Sequence, residues 1–162
     1  MKAKRITILL AAVAILSLAF AHTVMADLIV VASDATFKDA QKWVDFLTSK
    51  AVTIKHVTPQ NFSGVKQEQY MVIMGALDES GGVKDIVKEA LSDAEFADVS
   101  KAGNNEMYLK SDVWGEDQEV IIFSGATKED AEAARVGNRE DWLNEIAIWF
   151  DIELGGASLH GY

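Results

Sequence analysis

The sequence predicts a single α/β domain in three layers, with a mixed, mainly parallel sheet and helices on both faces. Three observations carry that expectation. Leu28 to Ala32 and Tyr70 to Gly75 are short, continuous apolar runs, and Glu119 to Ser124 encloses another, the pattern of strands covered on both sides. Several stretches between and after them place apolar residues three or four positions apart, the period of a helix with one buried side. The resulting order, β-α-β-β-α-β-β-α, contains no internal repeat and no Pro/Gly/Ser-rich linker that would divide it.

Lys2, Lys4 and Arg5 precede the apolar run Ile6 to Phe20, and Val24-Met25-Ala26 follows with small or aliphatic residues at the positions a signal peptidase reads. Residues 1–26 are therefore expected to be a signal peptide and Asp27 the new N-terminus. An uncleaved anchor is the competing reading, because Ile6 to Met25 spans 20 residues. Either way the domain, residues 27–154, faces the extracytoplasmic side, and residues 155–162 form a flexible tail without periodicity.

Each element of the domain has its own signal. Leu28 to Ala32 reads as a buried central strand. Phe37, Ala40, Trp43, Val44 and Leu47 form a helical stripe, and Thr36 with Asp39 resembles a capping box, which predicts one helix over 36–49. Val52 to Val57 alternates as a second strand, and Gln60 to Gln69 reads as a loop. After the strand at Tyr70, the positions Val83, Ile86, Val87, Ala90 and Leu91 predict a helix. Ser92 to Gly103 is acidic and reads as irregular. Glu106 to Lys110 and Glu119 to Ser124 are expected to pair as a hairpin around the polar loop between them. Thr127 with Asp130 caps a further helix, and Trp142, Leu143, Ile146, Ala147, Trp149 and Phe150 mark the last.

Composition narrows the function. The chain of 162 residues has 25 acids, 15 Lys or Arg and no cysteine, for a net charge of −10. Loss of Lys2, Lys4 and Arg5 with the leader takes the balance to −13. Disulfide scaffolds, cysteine-ligated zinc or iron–sulfur sites and cysteine nucleophiles are excluded. Nucleic acid and anionic lipid are poor partners, since phosphate neutralisation needs clustered Lys and Arg.

No constellation for catalysis stands out, and no cofactor motif is present. The strand, glycine-bearing loop and helix at Val72 to Val87 make Gly75, Gly81 and Gly82 a candidate ligand loop. It lacks the spacing of a phosphate-binding loop, and Asp78 and Glu79 would repel an anion. His56 reads as a strand residue with a satisfied ring, without a metal-ligand partner at nearby spacing. Ser124-Gly125 lacks the context of a nucleophile elbow. The acid clusters Asp93/Glu95/Asp98 and Asp112/Glu116/Asp117 do not follow a calcium-loop pattern and read as solvated surface, with no metal site expected. Asn61-Phe62-Ser63 fits the N-glycosylation acceptor pattern. Trp43, Trp142 and Trp149 read as core. Trp114 sits in a polar loop, where it either folds back on the sheet edge or offers a contact surface. Asp112, Val113, Trp114, Glu116 and Asp117 are the candidate contact loop.

Val72-Ile73-Met74-Gly75-Ala76, together with Asn105 to Ala126 and its segment V-W-x-x-x-Q-x-V-I-x-x-x-G from Val113 to Gly125, resembles the α/β module of archaeal surface-layer proteins and related cell-envelope proteins. A similar strand-turn-helix arrangement occurs in the non-catalytic N-terminal domain of some exported glycoside hydrolases. The chain departs from the surface-layer pattern after Gly75, where Ala76-Leu77-Asp78 replaces the typical proline and asparagine. The resemblance implies an envelope or interaction module and carries no catalytic residue across.

The expectation is an exported, non-catalytic binding or assembly module whose partner is an envelope protein, a glycan or a second copy. A membrane enters only if the leader is retained. The rival is a small hydrolase or ligand carrier with its site at the C-terminal strand ends, where open parallel sheets bind ligands. A deep pocket there, lined by two carboxylates or by His56, favours the rival, and a filled sheet edge with a flat surface favours assembly.

Overall fold

Five strands form one sheet in the order β2-β1-β3-β5-β4, with β1 at Leu28–Val31, β2 at Ile54–Val57, β3 at Tyr70–Ala76, β4 at Met107–Ser111 and β5 at Glu119–Gly125. This computed structural model describes residues 26–155. Residues 1–25 of the expected signal peptide and 156–162 of the expected tail lie outside the described residues. Neighbouring strands run parallel except β4, which closes the edge antiparallel to β5. The expected hairpin and the mainly parallel α/β sheet are both present.

Alternation within the central strands sends side chains to two cores. Leu28, Val30, Val72, Met74, Ile121 and Phe123 face one side, under Trp43 and Leu47 of α2 (Gln41–Ser49) and Trp142, Leu143 and Ile146 of α6 (Arg139–Phe150). Ile29, Val31, Met71, Ile73, Val120 and Ile122 face the other, under Val83 and the residues Ile86 and Val87 of α3 (Lys84–Ala90) and Val99 of α4 (Asp93–Val99). Every residue of β1 is buried, so its continuous apolar run follows from cover on both faces. The helix α5 (Lys128–Gly137) begins at Thr127, whose hydroxyl accepts the Asp130 N–H while the Asp130 carboxylate accepts the Thr127 N–H. That cap is the one the sequence predicts.

Several local expectations are corrected. The helix over 36–49 is two helices, α1 (Asp34–Asp39) and α2, broken at Ala40. Ser33, rather than Thr36, caps α1 by accepting the Thr36 N–H, and Asp39 is freed for another task. No residue at the break forbids helix. Before the break Phe37 stacks on His56, and after it Trp43, Val44 and Leu47 are buried in the core. Gln60 to Gly64, read as loop, belongs to a 3₁₀ helix, Pro59–Gly64, with Phe62 buried. Ser92 to Val99, read as irregular, holds α4 and its capping box, in which Ser92 and Glu95 satisfy each other's backbone N–H.

Candidate functional site

The β1–α1–β2 unit builds the sheet in one direction and β3 returns to the other side of β1, so the strand order reverses between β1 and β3. Open α/β sheets form a crevice at such a point, beyond the carboxyl ends of the strands. A cleft of about 440 Å³ opens at that end, between α1 and α5. Its inner wall is apolar: Met74 of β3, Phe123 of β5, Ala40 between α1 and α2, and Ala131 of α5.

Two glycines shape this end of the sheet. Gly75 has φ 148°, and a Cβ there would stand 3.1 Å from a Val83 methyl. At Gly125 a Cβ would stand 2.4 Å from the Cβ of Asp130 and 2.8 Å from the Ala131 nitrogen, so the end of β5 can meet the first turn of α5 only without a side chain. Ser124, fully buried, donates its hydroxyl to the Gly75 carbonyl at 2.8 Å and ties the two strand ends together.

Charged groups ring the mouth. Lys128 donates to Asp39 at 2.6 Å, joining α5 to α1. That hydrogen bond holds the Asp39 carboxyl below its ordinary range and raises the Lys128 ammonium above its own. At neutral pH Asp39 is therefore no proton donor and Lys128 no free amine. Arg135, only 7% exposed, gives two hydrogen bonds to Glu132, from Nε at 3.0 Å and Nη2 at 2.6 Å. Asp78 and Glu79 also line the cleft and take part in no ion pair among the described residues. The two cations are each neutralised by a carboxylate of their own, which leaves the rim net negative. Among the lining residues there is no serine, histidine, cysteine or tyrosine.

Of the candidate ligand loop, only Gly75 reaches the cleft. Gly81 turns its carbonyl to the Gln60 amide at 2.7 Å, and Gly82 packs on Glu79. The residues that make the site, Asp39, Lys128, Glu132 and Arg135, carry no sequence signal for it. In the sequence Asp39 reads as part of a capping box, and it meets Lys128 only through the fold.

The remaining candidates lie elsewhere. His56 Nε2 bonds the Ala32 carbonyl at 2.9 Å and the ring stacks on Phe37, outside the cleft. Trp114 folds inward, edge-on to Phe62 at 4.9 Å with the Lys66 ammonium 5.7 Å from its ring centre. Val113 packs with it against the second core, and Asp112, Glu116 and Asp117 are left exposed. Gln118, fully buried, fixes this loop by donating to the Lys66 and Glu68 carbonyls and accepting the Trp114 N–H. Asn61 is exposed at the 3₁₀ helix and donates to the Thr58 hydroxyl. Trp149, read as core, is half-buried and stacks on Tyr70. Glu95 and Asp98 of the first acid cluster pair with Lys110 and Lys101. Among the described residues no group of three His, Cys, Asp or Glu could hold a metal ion, and no helix is long and apolar enough to cross a membrane.

Scans against protein-family models, curated proteins and solved structures found no match to the chain.

Proposed function

We propose that the protein is an exported ligand carrier, the rival to the assembly module, which holds a small molecule with an apolar body and a cationic head in the cleft between α1 and α5, at the C-terminal strand ends. The observation that carries this reading is the cleft itself, with its apolar wall of Met74, Phe123, Ala40 and Ala131 and a rim on which Asp78 and Glu79 join no ion pair among the described residues. Pockets of this size with a few placed polar groups are the usual form of a small-molecule site. Binding is favoured over hydrolysis because the lining residues include no serine, histidine, cysteine or tyrosine. Export and an envelope setting rest on the leader sequence and on the surface-layer likeness.

A pair of ligands with one body and opposite heads tests the reading. 4-Phenylbutylamine and 4-phenylbutyrate are titrated separately while the Met74 and Ala131 methyl signals are followed by NMR. The amine should shift both methyls saturably and bind more tightly than the acid, and Ala131→Leu, which fills the cleft, should abolish the response. The reading fails if neither compound moves these methyls, or if Ala131→Leu leaves binding intact.

A further inference from the structure

We propose that a second groove, at the opposite end of the sheet, docks a cationic segment of a partner protein, with a Lys or Arg side chain over the Tyr70–Trp149 pair and its apolar neighbours on Ile148. Leu28, Tyr70 and Glu119 stand side by side where β1, β3 and β5 begin, so this end is remote from the cleft, which lies beyond the other ends of the same strands. An open groove of about 450 Å³ is lined there by Tyr70, Trp149, Ile148, Asp117, Glu119 and Glu145, with Gln69 beside them.

Three features of the groove select its occupant. Tyr70 and Trp149, both half-buried, line the groove and stack nearly parallel, ring centres 5.3 Å apart at 12°, with Phe150 5.0 Å from Tyr70. Aromatic faces attract ammonium and guanidinium groups. Three carboxylates line the groove with no Lys, Arg or His among them. Glu119 accepts a hydrogen bond from Ser111, while Asp117 and Glu145 join no ion pair among the described residues. Ile148, 73% exposed, is the most exposed large apolar residue of the described chain and sits at the groove edge. A cationic residue flanked by apolar ones complements all three features. A second copy does not, because a face-to-face pairing of a chain of net charge −10 would bring these carboxylates against one another. Asp117 also belongs to the loop after β4, so that loop would meet a partner through its acids while Trp114 faces inward.

The experiment titrates the full protein, ¹⁵N-labelled at tryptophan, with acetyl-Leu-Arg-Leu-Arg-amide and follows the Trp149 indole N–H, assigned with Trp149→Phe. A saturable shift is expected, weakened at least fivefold in the double variant Asp117→Asn/Glu145→Gln and by added salt. Asp78→Asn, at the cleft, should leave it unchanged, and an unaltered Trp142 signal verifies folding of each variant. Acetyl-Leu-Glu-Leu-Glu-amide should give no shift. The absence of a saturable shift, an equal response to the acidic peptide, or insensitivity to the double variant would overturn the proposal. So would a peptide-independent dimer broken by Ile148→Glu, which would make a second copy the occupant.

Discussion

Asp39 Oδ2 and Lys128 Nζ, 89 positions apart in the chain, meet at 2.6 Å across the mouth of the cleft. Their side chains are 57% and 68% exposed, so solvent and salt screen the pair and its contribution to folding is small. What the pair does is join α1 to α5 and remove one carboxylate from the charge that a ligand meets.

Lys128→Ala releases Asp39 as a third uncompensated carboxylate on the rim. The variant should keep its melting temperature and bind 4-phenylbutylamine more tightly, by a factor on the order of three to ten. Comparing titrations of the two proteins at low and high salt checks this. A lower amine affinity would show that Lys128 itself contacts the ligand.

Gln118 makes three hydrogen bonds with no exposure to water, two to the carbonyls of Lys66 and Glu68 and one from the Trp114 N–H. Gln118→Ala leaves these backbone groups without their partner and should cost about 2–4 kcal/mol in chemical denaturation. Trp114→Ala removes a half-buried ring from Phe62 and should cost about 2–3 kcal/mol, below the range for a fully buried tryptophan.

Gly125→Ala puts a methyl 2.4 Å from the Asp130 Cβ and 2.8 Å from a backbone nitrogen, where only movement of α5 can make room. A loss of about 1–3 kcal/mol is expected. Because α5 is one wall of the cleft, amine binding should weaken in the same variant, a coupling that titration of the folded mutant reads directly.

Glu95 is the clearest acid-sensitive group. Hydrogen bonds from the Lys110 ammonium and from the Ser92 hydroxyl and N–H lower its carboxyl from 4.5 to about 2. A depressed folded-state pKa contributes stability that is full above the unfolded value and is lost as pH falls through the folded one. Unfolding free energy should therefore decline between pH 4.5 and about 2, and Glu95→Gln should flatten that slope while lowering stability at neutral pH. An unchanged slope in the variant would show that other carboxylates set the acid response.

The sequence alone determined the class of fold. Leu28 to Val31, Tyr70 to Met74 and Val120 to Phe123 are unbroken apolar runs, and burial on both faces accounts for them. The cap at Thr127 and Asp130 was legible because both partners lie within one turn. The cap at Ser92 and Glu95 carries the same signal, yet α4 has one buried residue, Val99, and so no stripe to reveal it. The break at Ala40 was not legible, because Phe37 is drawn to a histidine on β2 that no local pattern joins to it.

The tertiary structure decided the sites. Asp39 and Lys128 become partners, and Met74, Phe123 and Ala131 become one wall, only when β3 crosses to the far side of β1 and α5 returns over β5. Tyr70, Asp117 and Glu145 come together at the other end by the same crossing. Periodicity is a property of neighbours in the chain and reports which side of an element is buried. A binding site is a property of neighbours in space, and here the order of strands in the sheet sets them.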